Sequence, residues 1–384
     1  MRRAANLVGA AVVTAALMVN GFRFWLLEVV NVHGDDFRFY YAMARVGLTY
    51  GWSHIYDLNL QCAPIGPISE TAKHCPGLDL PPVAWFATVF TVLPYTNAYP
   101  IWVAFLGLCL VAIVILPWQG YPEPKAMYAV AAFTLFPVAY CLFLGQVTMV
   151  AVLGVVAAWW LLRRERPHLA GLALVLTLAK PQTVLLVPVA LAVAGRWRTI
   201  VVFAALCAGL LVISLATLGV SGVSAYLSLT NAALGGTVNY VYTLAGLVGR
   251  PVGTVLQCVL ALVALVTAWR FRAHLETVVI AGLLGSALFS PYWHVADYVV
   301  LVPAAALQLS REPRLPATLL ACALFVVGSP LLVGATFVPS VIQVGSWLAL
   351  EVAWLLWLAS RPAQSLFADG RHELIARQPE SVAE

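Results

Sequence analysis

Short arginine clusters interrupt an otherwise apolar chain, and this punctuation limits the fold more than any other feature. The clusters are Arg2-Arg3, Arg163-Arg164-Glu165-Arg166, Arg196-Trp197-Arg198, Arg270-Phe271-Arg272 and Arg311-Glu312-Pro313-Arg314, and Arg361 opens a polar tail that runs to Glu384. Several apolar stretches between them reach the length of about 20 residues that a helix needs to cross a bilayer. Of the 384 residues, 62% are hydrophobic and 10% charged, with a mean hydropathy of +0.92; soluble domains carry about 25% charge. A soluble globular protein, a disordered chain, a disulfide scaffold and a nucleic-acid binder are excluded. The net charge of +5 does not imply an acidic partner, because its distribution sets orientation instead.

The positive-inside rule places every arginine cluster on the cytoplasmic face. Met1-Arg2-Arg3 lacks a clear small-residue cleavage site downstream, so residues 5–29 read as a retained first span. A polar outer loop follows, and the apolar run Pro81 to Pro94 is too short to cross. Were it to cross, the Arg163 cluster would lie outside. It is therefore expected as a juxtamembrane helix within an outer loop covering 31–97.

The remaining spans are expected at 98–117, 126–143, 147–162, 169–179, 182–195, 199–219, 251–269, 275–290, 295–310, 315–335 and 338–360. The expected fold is an all-α polytopic membrane protein, one domain over 1–360 with about 12 transmembrane helices, both termini cytoplasmic and a polar tail at 361–384. The pair 169–179 and 182–195 is too short for two crossings and is interrupted by Lys180-Pro181-Gln182, so it reads as a broken hairpin. Broken helices at membrane depth are tolerated where they line a polar cavity.

This topology sorts the scarce polar residues. Asp35, Asp36, Asp57, Asp79 and Asp297 fall in or beside outer loops with His33, His54, His74 and His294, while Gln146 and Lys180 sit at outward-pointing turns. Ionisable groups held at a membrane face mark substrate paths or catalytic sites.

Asp36, just outside the first span, suits a general base; an Asp before an apolar-periodic run also suits a helix N-cap. Lys180 at a helix break suits a phosphate, as do the freed backbone N–H groups, against the alternative of a lysine snorkelling to the interface. His294 reads either as an interfacial anchor beside Tyr292 and Trp293 or as a partner for a phosphate leaving group. Asp297 reads as an ion-pair partner, a cap or a site residue. Cys62 and Cys75 share the first outer loop, where either a disulfide or two free thiols is compatible with the location. The clustering of cysteine and histidine there lacks the spacing of a zinc site.

Together these segments resemble the family 87 glycosyltransferases, multispanning enzymes of the GT-C class. Asp36-Phe37-Arg38-Phe39-Tyr40-Tyr41 is similar to the family's Asp-Phe-x-x-Tyr-Tyr, and Ile55-Tyr56-Asp57 to its following Tyr-Asp. Pro81-Pro82 resembles the Tyr-Pro-Pro of its juxtamembrane helix, with Leu80 standing where the family has tyrosine. Gly145-Gln146, Lys180-Pro181-Gln182, Gly195-Arg196-Trp197-Arg198 and Ser290-Pro291-Tyr292 through Asp297 match later landmarks in order.

The resemblance implies inverting transfer of a hexosyl group, mannosyl being the best-known case, from a polyprenyl-phosphate-linked donor to a glycan or glycolipid acceptor on the outer face of the inner (plasma) membrane. No cofactor is implied beyond that donor, and no metal. Asp36 is the implied base with Asp35 beside it. Arg38, Tyr41, His54, Gln146, Lys180, Gln182, His294 and Asp297 are the implied contacts to substrate and lipid phosphate. Two other functions share some of these features. A transporter or lipid flippase also uses broken helices and buried cations, but inverted repeats are expected there and none is visible. An enzyme using a lipid-diphosphate donor is the other.

Overall fold

The computed structural model describes residues 35–62, 77–119, 132–133, 135–235, 240–311 and 341–362. The expected first span at 5–29, His33, His74, Cys75, the span at 315–335 and the tail beyond Pro362 lie outside the described residues. Every regular element among the described residues is helical, as a bilayer requires of an open chain that must satisfy its own backbone.

The helices are α1 Asp35–Tyr50, α2 Leu58–Gln61, α3 Pro81–Ala87, α4 Tyr95–Ile115, α5 Phe136–Leu144, α6 Thr148–Arg163, α7 Pro167–Leu174, α8 Leu186–Val193, α9 Trp197–Gly235, α10 Leu244–Val248, α11 Arg250–Arg270, α12 Leu275–Phe289, α13 Leu301–Arg311 and α14 Val341–Ser360. Prolines stand in the first turn of α3, α5, α7 and α11, where the missing N–H has no helical partner to lose. Pro81 thus starts the expected short helix, which a 3₁₀ turn, Thr88–Phe90, extends.

Among the described residues three helices are long and apolar enough to cross a membrane, α4, α9 and α11, or four if α5 and α6 count as one broken span. Of the expected spans 126–143 and 147–162, residues 126–131 and 134 lie outside the described residues. Their described parts, α5 and α6, bend by 119° across Gly145-Gln146-Val147. Gly145 makes this bend possible with its left-handed backbone (φ 68°). A Cβ there would also meet Phe37 Cβ at 2.8 Å and Trp102 Cδ1 at 3.2 Å.

The expected broken hairpin is present. α7 passes through 3₁₀ turns at Val175–Ala179 and Pro181–Thr183 before α8, with Lys180 between the two turns. The segment after residue 219, unassigned to any span from sequence, instead continues α9 beyond a break at Gly219 (φ 61°). Its distal half reaches the first outer loop, where Tyr226 lies 5.0 Å from Tyr56.

One apolar core runs from Phe37 of α1 to Leu358 of α14. Small residues let helices approach within it; a Cβ on Gly285 of α12 would stand 2.6 Å from Ala264 Cβ of α11.

Among the described residues, the Arg163, Arg196 and Arg270 clusters and Arg361 gather at one end of the bundle. Arg270 donates to the Ala359 carbonyl at 2.8 Å, Arg196 to the Arg272 carbonyl at 3.5 Å, and Arg163 pairs with Glu276 at 3.7 Å. Their guanidiniums lie over tryptophans: Arg164 over Trp160 at 3.6 Å, Arg361 over Trp357 at 4.8 Å and Arg272 over Trp269 at 5.7 Å. Such Arg–Trp pairs fit a membrane–water interface. α6 leads away from this end over 16 residues, about 24 Å at 1.5 Å per residue, and its other end carries the candidate site.

Candidate active site

Aromatic packing fixes the first wall of the site. Phe37 stacks on Trp102 at 5.1 Å and on Tyr95 at 5.7 Å, tying α1 to α4. Trp102 donates its indole N–H to the Gly145 carbonyl at 2.7 Å, and the Tyr99 hydroxyl donates to the Phe143 carbonyl at 2.6 Å. The Tyr40 hydroxyl accepts the Val147 N–H at 3.3 Å. α1 is therefore held against the turn between α5 and α6, and Asp36 faces Gln146.

A chain of polar side chains starts at this contact. Gln146 donates from Nε2 to Asp36 Oδ2 at 2.7 Å. The Thr148 hydroxyl lies 2.7 Å from Gln146 Oε1 and 3.1 Å from Asp297 Oδ1, so its single proton serves one of the two at a time. Lys180 Nζ donates to Asp297 Oδ1 at 2.5 Å. Asp297 Oδ2 in turn accepts the His294 backbone N–H at 3.0 Å. Gln146, Thr148, Lys180 and Asp297 are all buried, and Asp297 has no exposed surface. Four segments distant in sequence thus converge: the start of α1, the α5–α6 turn, the break between α7 and α8, and the turn before α13.

The break at Lys180 has a local cause. Pro181 cannot continue a helix through this point, and the Lys180 carbonyl is taken up by Thr183 through both its N–H at 3.2 Å and its hydroxyl at 2.7 Å. The lysine is thereby placed at the tip of the hairpin with one N–H on Asp297 and two more to offer a ligand.

Asp79, two residues before Pro81, belongs to the same electrostatic group. Burial pushes its carboxyl up to about 7; Lys180 pulls it down and Asp36 pushes it further up. Its carbonyl accepts the Tyr56 hydroxyl at 2.8 Å. Burial likewise lowers the His294 imidazole below its ordinary value; Asp297 opposes this and Lys180 adds to it. The ring lies 4.7 Å from that of Tyr292, and its buried Nε2 has no hydrogen-bond partner.

The expected site residues divide in position. Asp36, Gln146, Lys180 and Asp297 form one connected group, with His294 attached through its backbone. Arg38 is buried on α1 two residues from Asp36. Tyr41 is buried in the aromatic wall and donates to the Leu93 carbonyl at 2.8 Å. His54 is exposed at the end of a 3₁₀ turn, Trp52–His54, and Gln182 is half-buried just beyond the Lys180 break. Asp35 opens α1, and its side chain lies outside what the structure describes. Cys62 is disulfide-bonded, whereas Cys75 is outside the described residues.

Thr148 and Asp79 were not among the expected site residues. Thr148 gave no signal in an apolar run. Asp79 did give one, a carboxylate immediately ahead of the Pro-Pro helix start.

Residues 81–291 match the family model described as glycosyltransferase family 87. No curated protein and no solved structure matches the chain. The matched region holds Gln146, Thr148 and Lys180 and spans over half of the 384 residues. The chain is a membrane protein that belongs to glycosyltransferase family 87.

Proposed function

We propose that the chain transfers a hexosyl group, mannosyl as the leading case, from a polyprenyl-phosphate donor to a glycan or glycolipid on the extracytoplasmic face of the cell's inner membrane. The observation that carries this reading is the polar chain from half-buried Asp36 through buried Gln146, Thr148 and Asp297 to Lys180. It places a carboxylate and an ammonium at opposite ends of one polar array, as an inverting displacement needs. The acceptor hydroxyl gives its proton to Asp36 as its oxygen bonds to the sugar's anomeric carbon. The bond from that carbon to the phosphate oxygen breaks, and the lipid phosphate leaves with both electrons.

Lys180, with N–H groups beyond the one on Asp297, meets the phosphate charge as it develops. Arg38 and His294 stand on the two flanking segments. Gln146 orients the Asp36 carboxylate from the opposite wall. The arginine-rich end supports the orientation, because it directs that face to the cytoplasm and the Asp36–Lys180 array to the outside.

Proteoliposomes carrying the full-length chain and supplied with radiolabelled polyprenyl-phosphate mannose test this reading. Transfer to a lipid-linked acceptor is expected, and Asp36→Asn is expected to lower kcat by about 10²–10⁴-fold. Unchanged transfer by Asp36→Asn refutes the assignment of the base. Passage of the intact donor across the bilayer without transfer favours a flippase.

A further inference from the structure

The motif Gly195-Arg196-Trp197-Arg198 lies at the end of the bundle opposite Asp36 and takes no part in the proposed reaction. It forms one side of a cavity of about 570 Å³ between the α6–α7 turn and the α8–α9 turn.

Both turns end their helices in the same way. Gly195 has a left-handed backbone (φ 80°), and the Arg196 N–H reaches back to the Leu191 carbonyl at 2.9 Å. Glu165 is the non-glycine residue with positive φ among the described residues (57°), and the Arg166 N–H reaches the Leu161 carbonyl at 3.0 Å. This 6→1 bond closes a helix C-terminus. Here it lets the next helix, α9, begin at once with its N-terminal N–H groups at the cavity.

Three observations give the cavity a ligand chemistry. Arg196 and Arg198 both line it, and the buried Nε of Arg196 has no hydrogen-bond partner. Thr199 also lines it, is fully buried, and leaves its hydroxyl without a partner. Unmet buried donors beside two guanidiniums and the start of a long helix match a phosphate group. Glu165 lines the same cavity, and a carboxylate there opposes a ligand that is purely anionic. It suits one that carries an amine beyond its phosphate.

An exposed apolar surface adjoins the mouth. Trp197 is 62% exposed and Val201, on the next turn of α9, 63%, which places an interfacial anchor and an acyl-chain surface beside the opening.

The geometry points to a binding site for a phosphoethanolamine phospholipid headgroup, with the phosphate on Arg196, Arg198, Thr199 and the α9 N-terminus and the ammonium on Glu165. The site is independent of the transfer reaction, and its test does not use that reaction as its readout.

The full-length chain in detergent is titrated with dihexanoyl phosphatidylethanolamine, and bound lipid is counted by native mass spectrometry. Dihexanoyl phosphatidylglycerol and inorganic phosphate are titrated in parallel. Arg196→Gln and Arg198→Gln are each expected to weaken phosphatidylethanolamine binding about tenfold, the loss of one charge-assisted hydrogen bond. Thr199→Val keeps the side-chain volume and is expected to weaken binding severalfold. Glu165→Gln is expected to remove the preference for ethanolamine over glycerol.

Unchanged lipid binding in Arg198→Gln and Thr199→Val, with thermal midpoints like that of the wild type, overturns the site. Inorganic phosphate binding as tightly as the lipid overturns the lipid as occupant. Equal binding of the two lipids by the wild type overturns the role of Glu165.

Discussion

Replacing Lys180 by methionine keeps much of the side-chain volume and removes its charge. Asp297, with no exposed surface, then retains the Thr148 hydroxyl and the His294 N–H but loses the ammonium 2.5 Å from Oδ1. Breaking a buried pair by deleting one partner costs about 3–5 kcal/mol, because the remaining charge has no water to return to. Asp297→Asn strands Lys180 less completely, since Asp79 also acts on it electrostatically. The lysine variant should therefore be the less stable of the two. The double variant Lys180→Met/Asp297→Asn removes both charges, and its loss should fall short of the sum of the single losses by about 2–3 kcal/mol. Thermal unfolding of the purified chain in detergent reads this cycle, with a drop in midpoint of about 4–6 °C for Lys180→Met in a chain of 384 residues. A double variant whose loss equals the sum refutes the pairing. Singles within about 0.5 kcal/mol of wild type refute the burial argument behind it.

Three other perturbations probe the surroundings of that pair. Gln146→Leu removes both the donor to Asp36 and the acceptor for Thr148, and kcat for transfer should fall about 10–100-fold while KM changes little; steady-state kinetics on the proteoliposomes read this. Asp79 has its carboxyl raised from 3.8 to about 7, so the folded chain binds the extra proton between those values and stability falls as pH rises through that window, by at most about 1.4 kcal/mol per pH unit; unfolding midpoints measured from pH 4 to 8 should show a flatter profile in Asp79→Asn. Gly145→Ala places a Cβ 2.8 Å from Phe37 Cβ in a left-handed backbone and should destabilise by at least about 1–2 kcal/mol, with a lowered midpoint and transfer reduced alongside it.

The ion pair of the polar array was legible in the sequence for physical reasons. A lysine beside a proline inside an apolar run, and an aspartate after an aromatic turn, are costly in a membrane unless something meets them, so Lys180 and Asp297 stood out. Thr148 did not, because a threonine hydroxyl in an apolar helix ordinarily bonds back to its own backbone and nothing local says that it faces a carboxylate instead. Asp79 could be placed on the outer face but not in the group, since its closeness to Lys180 depends on how the first outer loop folds back over the hairpin.

Hydropathy marked 147–162 as a helical segment, and α6 follows it over Thr148–Arg163. A turn at Gly145-Gln146 was legible where one apolar run ends and the next begins; its angle of 119° was not, because an apolar count measures length and is blind to direction. The continuation of α9 past Gly219 escaped for the converse reason. The segment beyond that residue, interrupted by Ser221, Gly222, Ser224, Ser228, Thr230 and Asn231, carries too weak an apolar signal for a span, and packing of Tyr226 against Tyr56 supplies the helix with its partner.

That elbow has a mechanical consequence. Only 11% of the most apolar window of α9 is buried in the protein. Past Gly219 the same helix rests on Tyr56, whose hydroxyl holds the backbone of Asp79. A long helix that breaks at Gly219 and then packs on the loop beside Asp79 links the two, so a tilt of α9 in response to bilayer thickness is expected to reach Asp79 through Tyr226 and Tyr56. The loop beside the candidate site thus has one of its supports in a helix that is itself long and apolar enough to cross the membrane.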